Sequence, residues 1–371
     1  MTRRILQFGT SRFLQAHVDL FVHEAREAGQ DIGPITVVKT TADSGREGRV
    51  AALARPEGFP VIIRGQAQGR VIDKTIQVKS VARALSAGRD WDRVAAIFAA
   101  ETDIVVCNTG DDGYALSEED EGPAAGIVPA SFPGKLLALL QHRHRAGAGP
   151  LLVLPCELVS RNGRVLRAIL LELAAKGELP ADFRRWLEHE VLFCDTLVDR
   201  IVSAAIEPAG AIAEPYALWA IQRMPGLVEP LQHPDVVVTD DLEPYARLKL
   251  HILNLGHTLL ADIWLRERRP PEETVGMILG DAAIRARLME VYEAEVIPGF
   301  AARDMRDAAS DYVRRTMERF ENPFLQHPIR DIAQNHKIKI ERRIRAFLAW
   351  VQEREPDLAL PRLRAVADSS A

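Results

Sequence analysis

A chain of 371 residues with 47% hydrophobic and 27% charged residues has the composition of an ordinary globular protein and is long enough for two domains with cores of their own. A net charge of −5, with lysines and arginines scattered instead of striped, speaks against a nucleic-acid partner, and no apolar run reaches membrane-spanning length. Cys107, Cys156 and Cys194 stand apart, with no C-x-x-C and no paired spacing, so neither a disulfide framework nor a cysteine metal site is expected. The opening Met1-Thr-Arg-Arg runs straight into a strand-like segment with no apolar leader, so the expected setting is cytoplasmic.

Arg4-Ile-Leu-Gln-Phe8 reads as a short buried strand, followed by Gly9-Thr-Ser-Arg-Phe13 and a helical pattern from about Leu14 to Ala28. Ile35-Thr-Val-Val-Lys39 is a second strand, Asp103-Ile-Val-Val-Cys107 a third and Leu151-Leu-Val-Leu154 a fourth. Helical segments 91–100 and 135–145 precede the last two, and an irregular insert from Phe59 to Val81 carries short β-like runs. Strand and helix in alternation predict parallel strands joined by crossover helices. Further on, helical stretches near 165–175 and 182–189 lead to strand-like runs at 191–197, 216–221 and 236–239. From Glu243 onward nearly everything has helical periodicity. The expected fold is therefore an α/β, Rossmann-like doubly wound sheet with additional strands, followed by a mainly α-helical C-terminal domain. The polar turn Asp240-Asp-Leu-Glu-Pro244 sets the boundary: residues 1–240 for a dinucleotide-binding domain and 241–371 for a helical catalytic domain.

Three loops follow strands at the edge where open α/β sheets bind ligands. The first, with Gly9, Thr10, Ser11 and Phe13, lies where a dinucleotide-binding turn belongs, although Ser11 replaces the usual second glycine. At the end of the second strand Lys39 stands where an acidic residue usually meets the adenosine ribose, which leaves NADP open beside NAD. Asn108, Thr109 and Asp111 follow the third strand. Leu197-Val-Asp199-Arg200-Ile embeds an acid and a base in an apolar run, where a carboxylate must be paired or used.

The segment from Glu243 to Arg266 reads as one helix with Lys249, Asn254 and His257 on it. At about 100° per residue, His257 falls roughly 80° and Asn254 roughly 140° around the axis from Lys249. A long amine, a carboxamide and an imidazole on one face suit a small polar molecule; a solvated helix face is the bland alternative. Tyr245-Ala-Arg-Leu-Lys249 also matches the Y-x-x-x-K pair of short-chain dehydrogenases, but that family's N-terminal glycine motif is missing and the position is too late.

Taken in order, these motifs resemble those of the mannitol dehydrogenase family, the polyol-specific long-chain dehydrogenases. The resemblance rests on Lys249-x4-Asn254-x2-His257, on Val198-Asp-Arg-Ile201, on Cys156-Glu157 with Asn162-Gly163, and on Arg319-Phe-Glu-Asn322-Pro323. Within the family, Cys156-Glu-Leu, Thr196-Leu-Val-Asp-Arg-Ile and Asn108-Thr most resemble the tagaturonate (altronate) reductase branch. The resemblance implies metal-independent hydride transfer between NAD, with NADP not excluded, and a secondary alcohol or ketone of a sugar acid. Lys249 would be the general acid/base, with Asn254 and His257 polarising the reacting oxygen. Asp199, Asn162 and Arg319 would serve the substrate, and a basic residue such as Arg319 or one between Arg330 and Lys339 would meet its carboxylate. A polyol or polyol-phosphate dehydrogenase and a catalytically silent nucleotide-binding sensor are the alternatives. The resemblance is compatible with a monomer.

Overall fold

The computed structural model describes residues 3–41, 47–110, 112–117, 120 and 127–369. Valine-, isoleucine- and leucine-rich runs buried on both faces are central strands of a covered sheet, and four of them build its middle. In chain order the elements up to residue 242 begin with β1 (Arg3–Phe8), α1 (Arg12–Gln15), α2 (Val18–Glu27), β2 (Ile32–Lys39), α3 (Glu47–Leu53), β3 (Phe59–Ala67), β4 (Arg70–Val78), β5 (Val81–Ser86), α4 (Trp91–Glu101) and β6 (Ile104–Cys107). They continue with α5 (Phe132–Arg145), β7 (Leu151–Pro155), α6 (Asn162–Lys176), α7 (Ala181–His189), β8 (Val191–Phe193), β9 (Thr196–Asp199), β10 (Val202–Ala205), β11 (Ala211–Ala213), β12 (Leu218–Gln222) and β13 (Val236–Thr239).

Six strands form a parallel sheet in the order β5-β2-β1-β6-β7-β8. The chain first winds outward from β1 through β2 and then returns to the other side of β1 with β6, so the order reverses between β1 and β6. This is the doubly wound, Rossmann-like sheet expected from the alternation. Phe8, Val38, Cys107, Val153, Phe98, Leu136, Leu140 and Leu170 make its core with the flanking helices. The additional strands form a four-stranded sheet, β10-β11-β3-β4, and a three-stranded one, β13-β12-β9.

The second unit is helical: α8 (Glu243–Leu248), α9 (Leu255–Glu267), α10 (Val275–Leu279), α11 (Ala282–Val291), α12 (Ile297–Ala301), α13 (Arg306–Phe320), α14 (Ile329–Ala333), α15 (His336–Ile340), α16 (Ala346–Gln352) and α17 (Pro361–Asp368). Its core includes Ile252, Leu260, Tyr292, Phe300, Phe320 and Phe347. By compactness residues 63–74 and 214–216 group with this unit, together with residues 243–371, and the remainder forms the first unit. Among the described residues no helix is long and apolar enough to cross a membrane.

Several elements differ from the sequence reading. The helix expected over 14–28 is broken at His17 (φ −126°, ψ −93°), leaving α1 as a single turn before α2. Its ring explains the break. It lies 3.1 Å from the Leu218 carbonyl and packs against Phe13, Phe21 and Trp219, so tertiary contact overrides local propensity. Val81–Ser86 joins the main sheet as β5, and the run 191–197 divides at Cys194-Asp195 into β8 and β9. The helix from Glu243 is continuous to Glu267, but residues Lys249–Asn254 form a π turn within it. Two further π turns occur at Tyr292–Val296 and Glu341–Arg345.

Candidate active site

In the first unit the functional candidates converge on the C-terminal edge of the sheet where its order reverses. Gly9, with φ +111°, turns the chain out of β1, its N–H donating to the Val38 carbonyl at 3.0 Å. A Cβ at Gly9 would collide with the carbonyl oxygen of Asn108, so only glycine lets β1 and β6 end this close together. Ser11 caps α1, accepting from the Leu14 N–H at 3.2 Å and lying 3.2 Å from Asn108 Oδ1. Asn108 Nδ2 in turn donates to the Cys156 carbonyl at 2.8 Å. One carboxamide thus ties the loops after β1, β6 and β7. Thr10 is buried and its carbonyl accepts from Gln15. The Phe13 ring stacks on His17, 4.7 Å between centroids. Lys39 ends β2 as a buried residue on the same edge. Asp111 lies outside the described residues.

Glu157, to which the sequence alone assigns no role, is the hub of the next layer. Its Oε1 accepts from the N–H and hydroxyl of Thr109, each at 3.1 Å. Its Oε2 lies 3.3 Å from both Cys107 Sγ and Tyr114 Oη. Burial raises its carboxyl above the usual range, opposed by the donors from Cys107 and Thr109. Burial also pushes the Cys107 thiol up, and the neighbouring carboxylate adds to this; the thiol packs as a neutral donor. Asn162 is buried, and its carboxamide is engaged with main chain on several sides. Nδ2 donates to the carbonyls of Pro155, Glu157 and Thr196 within 3.1–3.2 Å, and Oδ1 accepts from Gly163 and Thr196 N–H at 2.9 Å each. Asn162 therefore pins the end of β7 to the start of β9. Asp199 is buried at the end of that strand, and Arg200 beside it donates to the Ala16 carbonyl at 2.7 Å.

In the second unit Lys249 and Asn254 are the first and last residues of the π turn, and His257 follows one turn later. The ideal-helix angles need correction here. In a turn closed by i→i+5 hydrogen bonds, residues five apart lie nearly one above the other, so Lys249 and Asn254 stand closer around the axis than an α-helix allows. Lys249 and Asn254 are half-buried and His257 is buried. The His257 ring packs on Phe320 at 4.5 Å and meets His327 edge-on at 5.1 Å. His327 carried no signal in the sequence, being a lone histidine in a loop. Burial lowers its pKa, Lys339 lowers it further and Asp331 opposes. Lys339 donates to the Ile332 carbonyl at 2.7 Å, and burial and the nearby Arg343 both lower its pKa.

Arg319 lies on α13 with its guanidinium 4.3 Å from the centre of the Tyr216 ring. It makes a two-point contact with Glu214, Nε to Oε2 at 2.9 Å and Nη2 to Oε1 at 2.8 Å, both side chains buried. Sequence reading could not find Glu214, which lies 105 residues away. Among the described residues no group of three His, Cys, Asp or Glu side chains is placed to hold a metal ion.

A parallel sheet with a glycine turn at its reversal, in a chain that also carries a lysine–asparagine–histidine face, defines a Rossmann-type oxidoreductase. Comparison with known proteins narrows the class. Residues 3–231 match the mannitol dehydrogenase Rossmann domain and residues 241–364 the mannitol dehydrogenase C-terminal domain. The altronate oxidoreductase of Halalkalibacterium halodurans is 30% identical over 369 residues, spanning 93% of this chain and 70% of that one. That of Klebsiella pneumoniae (strain 342) is 33% identical over 386 residues, spanning 97% and 77%. Among solved structures, substrate-free D-sorbitol dehydrogenase shares the fold with a TM-score of 0.81 at 18% identity, over 99% of this chain and 80% of that one. Pseudomonas fluorescens mannitol 2-dehydrogenase, in a ternary complex with NAD and D-mannitol, gives 0.69 at 18% identity, over 100% and 84%. The chain belongs to the mannitol dehydrogenase family, and is an oxidoreductase acting on CH–OH groups.

Proposed function

We propose that this protein interconverts a ketose acid and the corresponding sugar acid of the altronate type, using NAD as hydride carrier. The observation that carries this reading is the arrangement of Lys249 and Asn254 on a π turn with His257 in the α-helical turn that follows, in a chain whose altronate oxidoreductase relatives align over more than nine-tenths of its length. NAD supplies the hydride acceptor or donor when bound. The residues of the first unit fit it: a glycine that lets main chain come close to a pyrophosphate, at the strand-order reversal, with the Asn108 and Thr109 loop on the same edge. Lys39 in place of an acidic residue keeps NADP within reach of the same edge.

In the second unit Lys249 takes the hydroxyl proton during oxidation and returns it during reduction. Asn254 and His257 donate to the oxygen on which negative charge develops. Asn162 and Arg319 act indirectly, since each is already committed to neighbouring groups: Asn162 fixes the strand that ends in Asp199, and Arg319 is held by Glu214. Of the basic run from Arg330 to Lys339, Lys339 is the candidate cation for a carboxylate, close enough to His327 to lower its pKa. A polyol or polyol-phosphate dehydrogenase is the second reading, favoured by the fold likeness to the sorbitol and mannitol enzymes. A silent sensor would bind cofactor without turnover.

The test is absorbance at 340 nm with NADH, and separately NADPH, against keto-uronates, neutral ketohexoses and fructose 6-phosphate. The proposal expects turnover with an acidic ketose, and a loss of at least about 1,000-fold in kcat for Lys249→Ala with cofactor affinity kept. Turnover only with neutral or phosphorylated ketoses moves the assignment to the second reading. Turnover undiminished in Lys249→Ala removes the lysine from the mechanism.

A further inference from the structure

A π turn is a costly insertion in an α-helix, because it breaks the regular register and frees main-chain carbonyls that must be satisfied otherwise. The turn at Lys249–Asn254 packs against the two other π turns of the same unit, and side chains from both reach its carbonyls. Tyr292, the first residue of the second turn, donates its hydroxyl to the Ile252 carbonyl at 3.0 Å. Arg343, in the middle of the third, donates Nη1 to the Asn254 carbonyl and to Thr258 Oγ1, each at 3.1 Å. Thr258 Oγ1 itself donates to the same Asn254 carbonyl at 2.9 Å. The Arg343 carbonyl lies 3.1 Å from His251 Nδ1, so the third turn grips the first from both directions.

Two further observations show that the first of these contacts is built for. A Cβ on Gly256 would land on the Tyr292 hydroxyl, so the glycine is the notch through which the phenol reaches the helix. Tyr292 is fully buried, and burial raises its pKa, which keeps the proton on the oxygen that must donate it.

We propose that Tyr292 and Arg343 are positioning residues that hold the π turn open, and so keep Lys249 and Asn254 on one side of the helix. Without them the segment relaxes toward α-helical register, which turns Lys249 relative to Asn254 by about one residue, on the order of 100°. This rests on the reading of Lys249 as acid/base. A displacement of the acid/base by an ångström or more costs on the order of 100-fold in rate without touching cofactor binding.

The variants are Tyr292→Phe, which removes one oxygen, and Arg343→Lys, which keeps the charge but not the two-acceptor geometry. Each is measured for kcat, for KM of the ketose, for NADH affinity by fluorescence and for amide hydrogen exchange across residues 249–258. The expected result is a fall of about 10- to 100-fold in kcat, unchanged NADH affinity, and faster exchange in the turn. Gly256→Ala, which evicts the hydroxyl, should give the same pattern. A lower melting temperature with kcat intact in both variants would make these residues merely structural and overturn the proposal. Absence of turnover in the unmodified protein would sink the proposed ketose-acid reaction instead, and exchange across the turn would still decide whether the clasp exists: protection unchanged in both variants overturns it.

Discussion

Arg319 and Glu214 form a two-point ion pair with neither side chain more than 3% exposed, stacked on Tyr216. A buried pair of this kind returns little net stability over apolar groups of the same shape, yet removing one partner leaves a desolvated charge behind. Glu214→Gln should therefore destabilise the second unit by about 3–5 kcal/mol, and adding Arg319→Met should restore a large part of that loss. Urea unfolding of both single variants and the double variant reads the coupling directly. The same set separates two roles for Arg319. If the guanidinium only braces the fold, the double variant keeps its KM for an acidic ketose. If it meets the substrate carboxylate, KM rises even where stability has been recovered.

At the level of elements, the strand–turn–helix of β1, Gly9 and α1 is the most constrained piece of the first unit. Gly9→Ala meets both a backbone conformation that disfavours a Cβ and the Asn108 carbonyl; the strain is of order 1–3 kcal/mol. Separating the ends of β1 and β6 should weaken NADH binding at least about tenfold, a change of about 1.4 kcal/mol. A fluorescence titration that returns the unmodified affinity would place the pyrophosphate away from this turn. The parallel sheet was legible because its strands are continuous apolar runs separated by helix-period segments, a pattern fixed by burial on both faces. Breaks set by distant contacts were not legible. His17 ends a helical pattern because its ring lodges against β12, some 200 residues on. The π turn at Lys249–Asn254 has no signature of its own in composition or spacing, because what holds it, Tyr292 and Arg343, lies tens of residues downstream. The motif residues themselves could be picked out because amine, carboxamide and imidazole are unusual company on an otherwise aliphatic helix. Their buried partners, Glu214, Glu157 and His327, belong to spacings that only folding brings together.

For the whole molecule, buried titratable groups set how stability responds to pH, and two of them oppose each other. Asp19 is fully buried on α2, and burial pushes its carboxyl up to about 8, opposed by the Gln7 side chain. His251 is buried against Phe347 and Trp350, and burial, with Arg247 beside it, lowers its pKa to about 4. Between the ordinary aspartate value and about 8, the folded chain keeps a proton that the unfolded chain has released, so stability falls as pH rises. Between about 4 and the ordinary histidine value, the unfolded chain holds a proton that the folded chain lacks, so stability rises with pH. The two slopes cancel across that lower window. Above it, of these two groups, Asp19 acts alone. From about pH 6.5 to 8 one proton's difference amounts to roughly 2 kcal/mol as an upper bound. Melting temperature should thus stay nearly level through mildly acidic pH and fall as pH approaches 8. Asp19→Asn keeps the shape and removes the titration, so its melting curve should flatten between pH 6.5 and 8, and between pH 4 and 6.5 it should rise where the unmodified protein is level, because His251 is then unopposed. Scanning calorimetry of both proteins across this range decides the matter: parallel pH profiles would mean that Asp19 is ionised in the folded protein at neutral pH, with a donor that offsets its burial.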